Sequence, residues 1–232
     1  MNSKRILIIN RGEIATRIAK AIRELGHTAI GVWTDSEVEA SHLQFCDEWV
    51  NLEGKSNSET YLNIPKILDL IKKYRVDAVH PGYGFLAENA NFSKICKENG
   101  IKFIGASPKM IDGMGDKSAA KETMKKAGVP TIPGSIGIIP NFKKCQEIAE
   151  KIGYPIMLKA TAGGGGKGMR IVPKAKDLLK AWEDARQESK ASFDNDDMYI
   201  EKFIENPRHI EIQIIGDSKG EAAHLSERDC SI

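Results

Sequence analysis

The chain has 232 residues, with 34 Lys and Arg against 32 Asp and Glu and a formal net charge of +2. That near-balance excludes the dense basic surface of a nucleic-acid or anionic-membrane binder. A composition of 41% hydrophobic and 28% charged residues excludes wholesale disorder, and the length allows one large domain or two smaller ones. Taken in chain order, Arg5–Asn10 reads as a buried strand. Gly12–Leu25 follows as a helix with Ile14, Ile18, Ala21, Ile22 and Leu25 on one face, stopped by Gly26. Thr28–Trp33 and Trp49–Leu52 read as strands, and Tyr61–Tyr74 as a helix with Ile64, Ile67, Leu68 and Ile71 inward. Strand Ala78–His80, helix Asn89–Glu98 and strand Lys102–Ile104 continue the rhythm. Strand and helix alternating in this way predict a parallel sheet covered on both faces, a doubly wound α/β domain.

Asp116–Ala127 reads as a connecting helix, and the Gly- and Pro-rich stretch Thr131–Gly137 marks a domain boundary near residue 130. Beyond it come helix Phe142–Ile152, strand Pro155–Ala160, a glycine loop, strand Met169–Val172, helix Ala175–Lys190 and strand Met198–Phe203. Together these make a small α+β unit. His209–Ile215 and Ala222–Leu225 then read as two antiparallel strands around a turn at Asp217–Gly220. Two such strands cannot bury a face alone, so this last element is expected to need further strands.

Cys46, Cys96, Cys145 and Cys230 are scattered without a CxxC pair, which predicts reduced, mostly buried thiols rather than a metal site or a disulfide framework. The longest apolar run near the N-terminus, Ile6–Ile9, is far short of the roughly 7–15 residues of a signal-peptide core. Nothing approaches the roughly 20 apolar residues of a membrane span. A cytoplasmic protein is expected.

The densest chemical signal is Lys159-Ala-Thr-Ala-Gly163-Gly164-Gly165-Gly166-Lys167-Gly168, directly after an apolar strand. Consecutive glycines let backbone N–H groups converge on an anion, and the flanking lysines can counter a polyphosphate. Gly163, Gly165 and Gly168 fit G-x-G-x-x-G, but a strand follows where a dinucleotide fingerprint needs a helix. Gly82-Tyr-Gly84-Phe-Leu-Ala87 is an equally weak match to that fingerprint. A Walker A loop fails because Gly168 stands where Ser or Thr is required. A glycine loop joining two antiparallel strands is instead expected to form a flap over the phosphates.

The stretch Tyr154-Pro-Ile-Met-Leu-Lys159 running into the tetraglycine resembles the ATP-grasp signature of biotin carboxylases and carbamoyl-phosphate synthetases. Three further segments resemble the biotin carboxylase family in particular: Asn10-Arg11-Gly12-Glu13-Ile14-Ala15, His80-Pro-Gly-Tyr83-Gly84-Phe-Leu-Ala-Glu88-Asn89, and Asn206-Pro-Arg208-His209-Ile-Glu211-Ile-Gln213 with Glu227-Arg228-Asp229-Cys230-Ser231. Ala162 and Lys167 depart from the glycine and arginine of many relatives, changes that leave the anion-binding chemistry intact.

The resemblance implies four parts: an N-terminal Rossmann-like domain over 1–114, a connecting helix over 115–130, a small α+β ATP-grasp subdomain with its flap over 131–204, and the incomplete start of a C-terminal ATP-grasp half over 205–232. It implies that Lys117, Lys159, Gly163, Gly164, Gly165 and Gly166 meet the ATP phosphates. Glu201, Lys202, Phe203 and Ile204 are implied to read the adenine edge, His209 to lie near the ribose, and Tyr83 and Gly84 to line the pocket for biotin and bicarbonate. On composition alone Glu201 is a strand-edge charge and His209 a surface histidine, and a solvated helix lysine is the lesser alternative for Lys117. His80 is read as a packing residue, and Asp194–Asp197 as a solvated acidic loop standing away from the flap.

The implied activity is ATP- and bicarbonate-dependent carboxylation of biotin on a carrier protein or domain, through carboxyphosphate. Magnesium or manganese would assist, with a carboxyltransferase subunit as a further partner and a homodimer as the assembly of the full-length enzyme. The family's metal-binding and catalytic residues belong to its C-terminal half. The chain is therefore expected to be an N-terminal fragment with no catalytic or metal-ligating residue of its own, inactive alone. Motifs that begin almost at Met1 argue against a transit peptide. A carbamoyl-phosphate synthetase domain and a non-catalytic nucleotide-binding module are the rival readings.

Overall fold

The computed structural model describes residues 3–37, 39–115, 117–161, 168–217 and 219–231 of the chain, and of residues 117–119 the backbone alone. Contacts divide the chain into two units, Met1–Thr123 and Met124–Ile232.

The first unit is built on a five-stranded sheet of β1 (Arg5–Ile8), β2 (Thr28–Trp33), β3 (Glu48–Asn51), β4 (Ala78–His80) and β5 (Lys102–Phe103). The strand order is β3-β2-β1-β4-β5 and every pairing is parallel. Successive side chains on a strand point to opposite faces, and the two cores follow that alternation. Ile6, Ile8 and Ala29 are buried with Ala15, Ile18, Ala19 and Ile22 of α1 (Gly12–Glu24). Leu7, Ile9, Ile30 and Val32 face the other way, toward Ile67 and Ile71 of α2 (Ile64–Lys73) and Phe92 and Cys96 of α3 (Ala90–Glu98). The sheet is doubly wound. Chain order reverses beside β1, where β2 lies on one side and β4 on the other, and a crevice at such a switch point is where this class of fold receives ligands.

Two local expectations fail for visible reasons. Helix α2 begins at Ile64 rather than Tyr61, because the Asn63 side chain caps it by accepting from the Lys66 N–H and Pro65 stands in its first turn. A helix the periodicity missed, α4 (Pro108–Gly115), precedes α5 (Lys117–Lys126). Its two glycines and short length hide it: Ile111 alone of its apolar residues packs against the core, while Met110 and Met114 are exposed.

In the second unit, α6 (Phe142–Ile152) and α7 (Leu178–Phe193) share one core with an antiparallel sheet. Its strands are β6 (Ile156–Ala160), β7 (Met169–Val172) and β8 (Met198–Lys202), in the order β7-β6-β8. Ile156, Leu158, Ala160, Met198 and Ile200 are buried with Cys145, Ala149, Trp182 and Ala185 from the helices. The last element is a hairpin of β9 (Ile210–Gly216) and β10 (Ala222–Asp229), with a bulge between His224 and Glu227. Ile210, Ile212 and Ile214 are exposed on it at alternate positions. Cys46, Cys96 and Cys145 are buried free thiols, and Cys230, at the open end of the hairpin, is partly exposed. Among the described residues no helix is long and apolar enough to cross a membrane.

Candidate functional site

The alternation that buries Leu158 and Ile200 against the helices turns Lys159, Tyr199 and Glu201 to the opposite face of the three-stranded sheet. Lys159 pairs with Tyr199 across β6 and β8, and Met157 with Glu201, so the lysine and the carboxylate are diagonal neighbours. Lys159 Nζ lies 2.7 Å from Glu201 Oε2, and both side chains are about three-quarters or more buried, at 26% and 18% exposure. The ammonium also stands 5.9 Å from the Tyr199 ring centroid. On β7, Met169 is opposite Lys159 and Ile171 opposite Met157, and both are exposed. The open face therefore carries a Lys–Glu pair among Met157, Met169 and Ile171. Apolar side chains of this kind suit a flat aromatic ring, and the cation beside them suits an anion.

That pair sits at the foot of the glycine loop. Gly163, Gly164, Gly165, Gly166 and Lys167 lie outside the described residues. The two ends of the loop are tied down: Ala160 N–H donates to the Gly168 carbonyl at 2.9 Å, and Gly168 N–H donates to Glu188 Oε2 at 2.8 Å. Gly168 has φ +70°, and a Cβ there would meet Ala160 Cβ at 2.6 Å. The Asp194–Asp197 run does not stand away from this loop, as the charge pattern had suggested. Thr161 N–H donates to the Asp197 carbonyl at 2.9 Å, which fastens the acidic loop to the chain just before the glycines. Two of its carboxylates are engaged with helix α7, Asp194 with Lys190 and Asp196 with Arg186. Among the described residues no group of three or more His, Cys, Asp or Glu side chains gathers as a metal site.

The other expected residues are distributed unevenly. The Lys202 side chain is turned to the backbone, donating to the carbonyls of Gly153 at 3.1 Å and Tyr154 at 2.9 Å. Lys202 N–H donates to the Pro133 carbonyl and Phe203 N–H to the Pro155 carbonyl, while Ile204 is 45% exposed. His209 precedes β9. Its N–H donates to Ser231 Oγ and its carbonyl accepts from Cys230 N–H, contacts within the hairpin. Lys117 is the first residue of α5. Met157, Met169, Ile171 and Tyr199 were absent from the expected set. Their signal was the odd–even alternation shared with Lys159 and Glu201.

Tyr83 and Gly84 lie in the first unit, in the loop leaving β4 beside the switch point. Tyr83 is 65% exposed. Asn10, buried at the end of the first strand segment, donates through Nδ2 to the carbonyls of Pro81 and Tyr83, both at 2.8 Å. Gly82 N–H donates to His80 Nδ1 at 3.1 Å, which places the imidazole proton on Nε2. Burial pushes the His80 pKa below the ordinary histidine value. Between the folded value and the ordinary value of about 6.5 the unfolded chain binds more protons, so stability is present above that window and lost as pH falls through it. The melting temperature should accordingly fall between pH 7.5 and pH 5 by more in the native chain than in His80→Gln, as read by circular dichroism. Equal slopes would show that the His80–Gly82 bond does not depend on the neutral ring.

These two constellations, a charged pair on the strand that leads into a glycine loop and a loop tied to Asn10 at a doubly wound switch point, are those of an ATP-grasp protein with its preceding domain. Residues 2–111 match the biotin carboxylase N-terminal domain, and residues 116–232 match the ATP-binding domain of the carbamoyl-phosphate synthase L chain. The chain is 51% identical over 232 residues to a biotin carboxylase of Nostoc sp., covering all of this chain and 52% of that protein. It is 48% identical over 229 residues to the 2-oxoglutarate carboxylase small subunit of Hydrogenobacter thermophilus, covering 99% of this chain and 48% of the relative. Among solved structures, the biotin carboxylase–beta-gamma-ATP complex of Campylobacter jejuni has a TM-score of 0.83 at 48% identity, over 99% of this chain and 51% of that one. The biotin carboxylase domain of a thermophilic 2-oxoglutarate carboxylase bound to bicarbonate has a TM-score of 0.90 at 45% identity, over 99% of this chain and 50% of that one. The chain belongs to the biotin carboxylase family. It spans about half the length of the curated relatives it matches.

Proposed function

We propose that this chain supplies the nucleotide-binding part of a biotin carboxylase, a ligase that uses ATP and bicarbonate to carboxylate carrier-bound biotin. The observation that carries the reading is the Lys159–Glu201 pair on the open sheet face, at the foot of the glycine loop and flanked by Met157, Met169 and Ile171. Lys159, with Lys117 and the Gly163–Gly166 backbone, would hold the phosphates. Glu201 and the backbone from Lys202 to Ile204 would read the adenine edge, His209 would approach the ribose, and Tyr83 and Gly84 would meet biotin or bicarbonate. Negative charge gathers on the transferring phosphoryl group, so a fixed ammonium and oriented N–H groups are the appropriate stabilisers. Magnesium or manganese would supply countercharge to the phosphates, although among the described residues no group of three or more His, Cys, Asp or Glu side chains gathers to hold it. A carrier protein or domain, a carboxyltransferase partner and a dimeric full-length enzyme complete the reading, as does a cytoplasmic place in acyl-CoA or pyruvate carboxylation, including that of fatty-acid synthesis. The match of residues 2–111 to a biotin carboxylase N-terminal domain favours this over a carbamoyl-phosphate synthetase.

Calorimetric titration of the chain with ADP and with GDP tests the reading. Heat is expected with ADP and not with GDP, because the ring edge facing Glu201 differs between the two bases. Equal responses would reject Glu201–Ile204 as the adenine-reading segment.

A further inference from the structure

The Tyr83–Gly84 loop is held in a conformation it would not adopt unaided. Gly82 and Gly84 have φ of +66° and +69°, and Phe85, which is not glycine, has φ +39°. A non-glycine residue at positive φ persists only where its surroundings over-determine it, and such residues gather at ligand-binding sites. Two neighbouring residues provide the constraint from opposite sides. The Asn10 carboxamide is buried, spends both Nδ2 hydrogens on the Pro81 and Tyr83 carbonyls, and accepts the Arg11 N–H on Oδ1 at 2.9 Å. Its approach is so close that a Cβ on Gly82 would lie 2.8 Å from Asn10 Nδ2.

Arg11 holds the far end of the loop. Its guanidinium carbon is 5.5 Å from the ring centroids of both Tyr61 and Phe85, which stack on each other at 4.7 Å and 16°. The same guanidinium is ion-paired with Glu37. Glu37 also accepts from the Tyr61 hydroxyl at 2.7 Å and from the Thr34 N–H at 3.2 Å. Burial works against the Glu37 charge, but the bonds from Arg11 and Tyr61 outweigh it and hold the carboxyl below the usual carboxylate range. Arg11 is thus fixed by a carboxylate on one side and on the other stands beside the Tyr61–Phe85 stack, equally near both rings.

We propose that Asn10 and Arg11 are positioning residues for the ligand loop: Asn10 fixes the Pro81–Tyr83 backbone and Arg11 clamps Phe85, so that Tyr83 and Gly84 are preset to receive the ureido ring of biotin. The identity of the ligand rests on the function proposed above; the clamping itself does not. Preset loops bind more tightly because the ordering entropy has been removed beforehand. Tyr83, exposed and flanked by two glycines at positive φ, would otherwise sample many arrangements.

Hydrogen exchange and a biotin titration followed by NMR separate the two statements. The reporters are the Gly82 N–H, bonded to His80, and the Ala87 N–H, bonded to the Gly84 carbonyl at 2.8 Å. The control is the Ile104 N–H, bonded to Val79 on β4. Asn10→Asp preserves the shape and the bond from Arg11 but removes the Nδ2 donors, and Arg11→Met removes the clamp. Each should speed exchange at Gly82 or Ala87 by about five- to tenfold, the worth of one hydrogen bond, and leave Ile104 unchanged. Biotin should shift the Tyr83 and Gly84 resonances of the native chain and shift them less in either variant. Unchanged exchange at Gly82 and Ala87 would overturn the proposal, and so would an equal acceleration at Ile104. Faster exchange at the reporters alone, with no biotin-induced shift in the native chain, would uphold the clamp and overturn the biotin assignment.

Discussion

Replacing Lys159 with alanine is expected to weaken ADP binding by about ten- to a hundredfold, the equivalent of losing one hydrogen bond to a charged group at roughly 1.5–3 kcal/mol. The expectation follows from where the ammonium stands. It is three-quarters buried, held 2.7 Å from Glu201 and placed one residue before the end of β6, which leads into the glycine loop. A cation held in that geometry needs little reorganisation to meet a phosphate, and partial burial makes it worth more than a solvated one. Titration calorimetry with adenosine as a second ligand gives the assignment its specificity, because adenosine has no phosphate to lose. Native chain and Lys159→Ala should bind adenosine alike and ADP very differently. An equal loss for both ligands would mean that the lysine serves the face as a whole through Glu201 and does not serve the phosphates.

The second large effect is expected at Gly168. Substitution by alanine combines the left-handed backbone at φ +70°, worth roughly 1–2 kcal/mol, with a Cβ 2.6 Å from Ala160 Cβ, an overpacking worth roughly 1–3 kcal/mol. The sum, about 2–5 kcal/mol, would fall on the second unit, whose core holds Trp182. Urea unfolding followed by Trp182 fluorescence, in a background with Trp33 and Trp49 replaced by phenylalanine, reads it directly. Gly128 is the appropriate control, with φ +75° and nothing within 4 Å of an added Cβ. Gly128→Ala should cost only the backbone part, about 1–2 kcal/mol. Equal losses at the two positions would mean that Gly168 and Ala160 do not approach closely.

Much of this architecture was readable from residue order, and the parts that were not share a physical character. Strand Thr28–Trp33 and helix Phe142–Ile152 lie where the apolar pattern put them, because each buries one continuous stretch or stripe. Helix α7 outran its expected end at Lys190 and continues to Phe193, where Asp194 closes it in a left-handed conformation with φ +54°. Aspartate tolerates that conformation, but it does not announce it as glycine does. The site shows the same division. Lys159 was marked by the glycines that follow it, whereas its pairing with Glu201 depends on the register of two strands 42 residues apart. Lys202 was expected to offer its backbone to the adenine edge, and where its side chain goes, to the Gly153 and Tyr154 carbonyls, was not foreseen. A charge in sequence does not say which way its side chain leaves the strand. Asn10 and Arg11 stood within a quoted motif, yet their clamp exists only because the sheet order sets β1 beside β4.

The distribution of thiols has a practical corollary. Burial pushes the Cys46 and Cys96 thiols up to about 11 and the Cys145 thiol to about 12, so none of the three offers an appreciable thiolate at neutral pH. Cys230 is partly exposed at the mouth of the β9–β10 hairpin. A maleimide reagent will therefore select that one position in the unaltered chain. A fluorophore or spin label placed there sits beside Arg228 and Glu211, on the hairpin face opposite the exposed isoleucine row of Ile210, Ile212 and Ile214, and it will report on that charged face without a single engineered residue.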